Sequence, residues 1–309
     1  AEAVLTGREI GRAADAELEG AFAGVAVFAE VDPGQKERIV SMLRRRGHVV
    51  GFMGDGINDA PAMHAADASI SVDTAVDVAR DAADFVLLER DLSVVRRGIE
   101  EGRRTFANTM KYLLMTMSAN LGNMVSMAAA SLVLPFLPLL AGQVLLNNFL
   151  SDLPAFGLAA DRVDPELVAR PRRWDLRFIG RFMLRFGLLS SLFDFATFAV
   201  LLLAFLADAA LFRTAWFVES LLSEVLVALM IRTARPFWQS RPGGLLLYSS
   251  IGVATLAIVL PYLPQSGLLG FVPMPAGVLA AVLAITAAYV AVTEVAKRGI
   301  DLVPRTRSA

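Results

Sequence analysis

The chain contains no cysteine, which excludes disulfides and thiolate metal sites. It has two histidines, His48 and His64, too few for a histidine-rich metal centre. No basic patch with interleaved aromatics occurs, so a nucleic-acid partner has no support and is not expected. The first hundred residues are charged and mixed in polarity and show no signal-peptide pattern. Charge of either sign is scarce as an excess: the net charge is -1, and only its distribution is informative.

What is abundant is apolar sequence. Hydrophobic residues make up 56% of the 309, and the mean hydropathy is +0.57, a value typical of membrane-spanning chains. The bias is uneven. Residues 1–103 read as a soluble α/β segment and 104–309 as a membrane domain. The latter holds six candidate spans, at about 106–133, 138–158, 178–206, 214–232, 245–263 and 276–297, each near or above the ~20 residues needed to cross the hydrocarbon core. Arg162, Arg170, Arg172, Arg173 and Arg177 lie between the second and third spans. Arg235 and Arg241 lie between the fourth and fifth, and Lys297, Arg298, Arg305 and Arg307 mark the last. The opposite loops carry only Arg213. The positive-inside rule therefore predicts cytoplasmic termini at both ends.

Polar residues inside these spans are the informative ones. Asn120 and Asn123 are three apart and share a helix face; Asn148, Ser151 and Asp152 keep the same i, i+3, i+4 pattern. Pro154 removes a backbone donor and is expected to break the preceding turn, freeing carbonyl oxygens for a hard cation. A carboxylate at mid-span costs about 2.5–3.5 kcal/mol on insertion scales, so Asp152 should face a partner or a wet cavity. Two readings stand: a cation site on these two helices, or interhelical hydrogen bonding by Asn and Ser. Glu224, deeper in its span than Glu219, is a further candidate ligand or proton carrier. Asp194 and Glu219 are expected to partner polar groups on neighbouring helices.

In the soluble part, Val49 and Val50 lead into Gly54-Asp55-Gly56-Ile57-Asn58-Asp59-Ala60-Pro61-Ala62. A strand ends in a glycine turn and a helix begins, which is where α/β active sites lie. Asp55 and Asp59, four apart, can both point into that crevice, and two carboxylates with a phosphate commonly hold Mg²⁺. Upstream, the segment from Val31 to Val40 (VDPGQKERIV) reads as a turn entering a helix. Its Lys36 either reaches a phosphate or is a solvated surface charge. Asp67 and Asp84 read as turn and cap residues. Residues 91–112 form a charged helical stretch leading into the first span.

GDGINDAPA at 54–62 resembles the hinge motif of P-type ATPases, whose phosphorylation domain has the haloacid-dehalogenase-like fold, and the VDPGQKERIV segment is similar to the stretch whose lysine contacts the phosphoryl group. The resemblance covers essentially the whole chain. It implies a partial Rossmann-like phosphorylation domain followed by six transmembrane helices, matching the family's fifth to tenth. It implies that Asp55 and Asp59 bind a catalytic Mg²⁺, that Asn58 orders the site and that Lys36 neutralises phosphate charge, with ATP as substrate of the complete pump. SANLGNMVS at 118–126, LLNNFLSDLP at 145–154, SSLFDFATF at 190–198 and WFVESLLSE with the later MIRT at 230–233 look like the bacterial magnesium-transporting class. Asn120, Asn123, Asn148, Ser151 and Asp152 fall where related pumps place cation ligands. Calcium pumps carry an acid where Asn123 stands, so the resemblance implies a site weak in negative charge, which suits Mg²⁺.

The sequence also departs from the family. The Asp-Lys-Thr-Gly-Thr phosphorylation motif is absent, as are the nucleotide-binding domain, the actuator loop Thr-Gly-Glu-Ser and the first four membrane helices. The expectation is the C-terminal part of an ATP-driven Mg²⁺ transporter in a bacterial plasma membrane, inactive alone and completed by those N-terminal parts. A pump for Ca²⁺ or H⁺, or a non-catalytic module of a split pump, are the alternatives.

Overall fold

A computed structural model describes residues 3–21, 24–89 and 91–298. Arg305 and Arg307 lie outside them. The chain divides into two units, Ala1–Gly98 and Ile99–Ala309. The expected boundary at 103/104 falls within a single long helix that begins in the first unit.

The first unit is α/β. β1 (Ala3–Thr6) leads into α1 (Gly7–Arg12) and α2 (Asp15–Ala21), and β1 pairs in parallel with β2 (Val25–Ala29). Next along the chain come α3 (Pro33–Arg45), β3 (Gly51–Met53), α4 (Ala60–Ala65), β4 (Ala68–Val72), α5 (Asp77–Asp81) and β5 (Phe85–Leu87). The last three strands form a parallel sheet in the order β3-β4-β5. Ile10, Leu18, Ile39 and Met42 make the buried core between α1, α2 and α3.

α3 starts where the sequence demands it. Asp32 accepts from the Gln35 N–H at 2.8 Å, and Gln35 Oε1 accepts from the Asp32 N–H at 3.1 Å, a closed capping box with Pro33 at the first helical position. Asp67 is structural, accepting from the Val50 N–H and from Arg44, both at 2.9 Å. Asp84 is too: the Ser69 N–H and Oγ–H donate to it at 2.8 and 2.9 Å and hold its carboxyl below the ordinary range.

The second unit is a helical bundle. α6 (Leu92–Val133) runs unbroken from the charged stretch into the first predicted span. Then come α7 (Ala141–Ala159), the short α8 (Pro165–Val168), α9 (Leu176–Ala199) with a π turn at Val200–Ala204, α10 (Ala209–Ile231), α11 (Gly244–Val259) and α12 (Ala276–Lys297). Among the described residues, four helices are long and apolar enough to cross a membrane: Leu176–Ala204, Ala209–Ile231, Gly244–Tyr262 and Ala276–Lys297. The protein is a multi-pass membrane protein. α6 and α7, which carry the polar residues singled out above, are not among those four.

α10 is the axis of the bundle and packs against α7, α9, α11 and α12. Trp216, Phe212, Phe217 and Phe198 are all buried around it, with Phe198 edge-on to Trp216 at 4.8 Å between centroids. Such aromatic burial packs the bundle centre by contact geometry as well as area. The arginine-bearing loops after α7 and α10 are fastened together. Asp161 accepts from Lys111 Nζ at 2.7 Å, from Arg232 at 3.3 Å and from the Gly243 N–H at 2.8 Å. Asp164 accepts from Thr233 and Ser240 at 2.5 and 2.7 Å, and Arg235 binds Glu166 through two bonds at 2.6 and 2.7 Å. At the other end, Gln143 donates to the Leu269 carbonyl at 3.0 Å and Arg213 to the Leu137 carbonyl at 2.8 Å.

One expectation is corrected here. α7 does not break before Pro154 but stays helical from Ala141 to Ala159. Proline's fixed φ suits a helix, and its cost is one lost donor and local crowding, which the packing of α7 against α10 and α11 outweighs.

Candidate functional sites

The first site is the turn after β3. Gly54 is held from both sides, its N–H donating to the Ile70 carbonyl at 3.0 Å and its carbonyl accepting from the buried Ser71 hydroxyl at 2.8 Å. A Cβ at Gly54 would lie 2.4 Å from the Asp59 Cβ, so only glycine lets the turn close this tightly. Ile57–Asp59 then form one 3₁₀ turn that leads into α4. Asp59 folds back, and its carboxylate accepts from the Gly56 N–H at 3.3 Å and from Lys36 Nζ at 2.7 Å. Burial alone would raise the Asp59 carboxyl; the Lys36 ammonium and the Gly56 N–H outweigh it and leave the group below its ordinary value. Asp55 and Asn58 are exposed at the carboxyl end of β3.

Lys36, Asp55, Asn58 and Asp59 are therefore all on the one turn and its neighbouring helix start, but not in equivalent states. Asp59 is engaged by Lys36, whereas Asp55 projects from the turn. Among the described residues no three Asp, Glu or His side chains converge to hold a metal by themselves. A metal here would draw on Asp55, with the Lys36-bound Asp59 beside it, and on oxygens from a phosphate and water, which is the coordination Mg²⁺ favours.

The second site is in the bundle, and the structure divides its candidates. Asn120, Asn148 and Asp152 are exposed on the surface of the unit. Asp152 lines a groove with Thr105, Asn108, Thr109, Tyr112 and Phe156. Asn123, Ser151 and Glu224 turn inward. Asn123 Oδ1 accepts from Ser220 Oγ at 3.2 Å, and the Ser151 hydroxyl donates to the Asn148 carbonyl at 3.1 Å. Glu224 meets α7 through Ser151 and through Asn147 Nδ2, which donates at 3.4 Å. Asn123 and Glu224 line one interior cavity, together with Ser118, Ser190 and Asp194.

Asn147 is the residue that the i, i+3, i+4 reading of Asn148, Ser151 and Asp152 passes over. The signal for it is present: Asn147, Ser151, Pro154, Ala155 and Leu158 repeat at helical spacing and are all buried.

A parallel-stranded unit with a Gly-Asp-Gly turn and a polar-cored bundle with four membrane-long helices thus make up the chain. Residues 136–299 match the family model "Cation transporting ATPase, C-terminus", and the chain belongs to that family. Over 299 residues, 95% of the chain, it is 45% identical to "Magnesium-transporting ATPase, P-type 1" of Escherichia coli (strain K12). The protein of the same description from Salmonella typhimurium (strain 14028s) is 44% identical over the same length. "Endoplasmic reticulum calcium ATPase srcA" of Aspergillus fumigatus is 35% identical over 183 residues, 58% of the chain. The chain spans about a third of the length of the magnesium-transporting relatives, covering 33% of each.

Proposed function

We propose that the chain is the C-terminal part of an ATP-driven Mg²⁺ transporter in a bacterial plasma membrane. The observation that carries this reading is the 45% identity to a magnesium-transporting ATPase across 95% of the chain, through both units. The similarity to the calcium ATPase is lower and covers 58% of the chain. On this reading the first unit is the end of a haloacid-dehalogenase-like phosphorylation domain. α6 and α7 cross the membrane with the four more apolar helices, six in all, and both ends of the chain are cytoplasmic. The two extra spans score low in apolarity because they carry the cation-facing Asn, Ser and Asp side chains.

In the complete pump, Asp55 would supply one oxygen to a catalytic Mg²⁺, whose charge would offset that of the phosphate during phosphoryl transfer. Lys36 offers its ammonium to the same phosphate, and Asp59 keeps that ammonium aimed. Asn58 lines the turn as a hydrogen-bonding group. Asn120, Asn123, Asn148, Ser151, Asp152 and Glu224 supply oxygens along the ion path, the carboxylates being Asp152 and Glu224. The test uses the full-length pump. Asp55→Asn should abolish phosphoenzyme formation from ATP, and Asp152→Ala should remove stimulation of ATPase activity by Mg²⁺. Normal phosphoenzyme in the first variant overturns the catalytic assignment; stimulation of the parent pump by Ca²⁺ and not Mg²⁺ overturns the cargo.

A further inference from the structure

Two acids lie in the bundle that the transport reading does not use. Asp194 of α9 is 3% exposed and Glu219 of α10 is 1% exposed. Asp194 accepts from the Ser126 hydroxyl of α6 at 2.6 Å and from the Trp216 indole N–H at 2.9 Å. Glu219 Oε1 accepts from Ser223 Oγ at 2.7 Å. Its Oε2 is buried with no donor among the described residues, and the group facing the side chain is the Asp194 carboxyl. Trp216, Glu219 and Ser223 recur three and four residues apart, so one face of α10 addresses α9 at this level.

Asp194 also lines the interior cavity with Ser118, Asn123, Glu224 and Tyr289. Ser118 of α6 is 4% exposed and its hydroxyl finds no partner among the described residues. The other ionisable groups bearing on the two acids are Glu224 of α10 and Tyr289 of α12, and among the described residues no basic side chain lines the cavity.

Two ionised carboxyls are acceptors only and cannot hydrogen-bond to each other. Two buried negative charges without a cation carry a desolvation cost that proteins avoid by taking up a proton. One proton resolves both problems by supplying the donor that Glu219 Oε2 lacks. Its residence is set by the neighbours. Asp194 already receives two donors, which favour its charged form, whereas Glu219 receives one.

We propose that Glu219 and Asp194 form a proton-binding site inside the bundle, with the proton on Glu219 Oε2, donated to Asp194, beside the cavity that Ser118, Asn123 and Glu224 line. With the proton in place the pair contributes one negative charge to the cavity wall, and without it two. A cation in the cavity and the proton on the pair therefore compete. Neither acid is among the proposed ion ligands, although Asp194 lines the same cavity as Asn123 and Glu224, and the inference stands whichever cation the pump carries.

Infrared spectroscopy of the full chain in lipid nanodiscs at neutral pH tests this. The wild type should show the C=O stretch of a protonated carboxyl, lost in Glu219→Gln, whose amide donates in the proton's place. Asp194→Asn removes the neighbouring negative charge that favours proton uptake, so the band should be lost at a lower pH than in the wild type, and an unaltered pH dependence overturns the part given to Asp194. An unchanged band in Glu219→Gln, or no band in the wild type, overturns the proposal. Should Glu219→Gln fail to assemble, wild-type chain labelled with ¹³C-carboxyl glutamate gives the second readout: the band must shift with the isotope, and a band that does not shift overturns the assignment to glutamate.

Discussion

Lys36 and Asp59 are 23 residues apart in sequence and 2.7 Å apart in the fold. The pair is partly exposed, so it stabilises by no more than roughly 1 kcal/mol. Its value is positional, because a long flexible ammonium is otherwise free to wander. A carboxyl lowered in the folded state contributes stability above its ordinary pKa of 3.8, and that contribution is lost as the pH falls through the lowered value. Wild-type chain should therefore lose more thermal stability than Asp59→Asn between about pH 5 and pH 3, as measured by circular dichroism; parallel curves count against a folded-state charge on Asp59. Asp161 is the opposite case, fully enclosed with Lys111 and Arg232. Asp161→Ala leaves two buried cations without their counter-charge and should cost about 3–5 kcal/mol, read as a large drop in melting temperature in detergent. The sequence flags Lys36, Asp55 and Asp59 through their motifs, yet it does not disclose that Asp59 is taken by Lys36 while Asp55 projects. That distinction comes from a turn tight enough to fold one carboxylate back, a tertiary fact that spacing along the chain does not contain.

The helices show the same division between what pattern reveals and what packing decides. Four spans are legible from apolar length alone. The helical course of α6 and α7 is legible too, but not which of their polar side chains turn inward. Asn120 and Asn123 lie on one face by spacing, and α10 half-buries Asn123 and leaves Asn120 at the surface. The break expected at Pro154 fails for a related reason, since packing against neighbouring helices keeps α7 helical through it. Close approach is the means. A Cβ on Gly157 would meet the Leu246 backbone at 2.6 Å, while one on Gly142, in the same helix, would meet nothing within 4 Å. Gly157→Ala should therefore push α7 away from α11 and destabilise by about 1–3 kcal/mol. Gly142→Ala should be neutral or slightly stabilising through helix propensity. Equal melting temperatures for the two variants in detergent contradict that account of the α7–α11 contact.

For the whole molecule, composition sets a segment of mixed polarity apart from an apolar one, and the arginine-rich loops after α7 and α10 are bound to each other by Asp161, Asp164 and Glu166. The chain's outer surface is harder to read from sequence, because burial there depends on what lies against it. Asp152 stands on the outside of α7, facing the groove with Asn108 and Tyr112. Hydrocarbon is a poor neighbour for a carboxylate, so if α7 crosses the membrane as proposed, it enters reluctantly until another protein surface shields that side. On that proposal, a helix translated and seated before α7 would give Asp152 a place to go. A chain in which that helix arrives late would be held back as unfinished and offered to proteolysis.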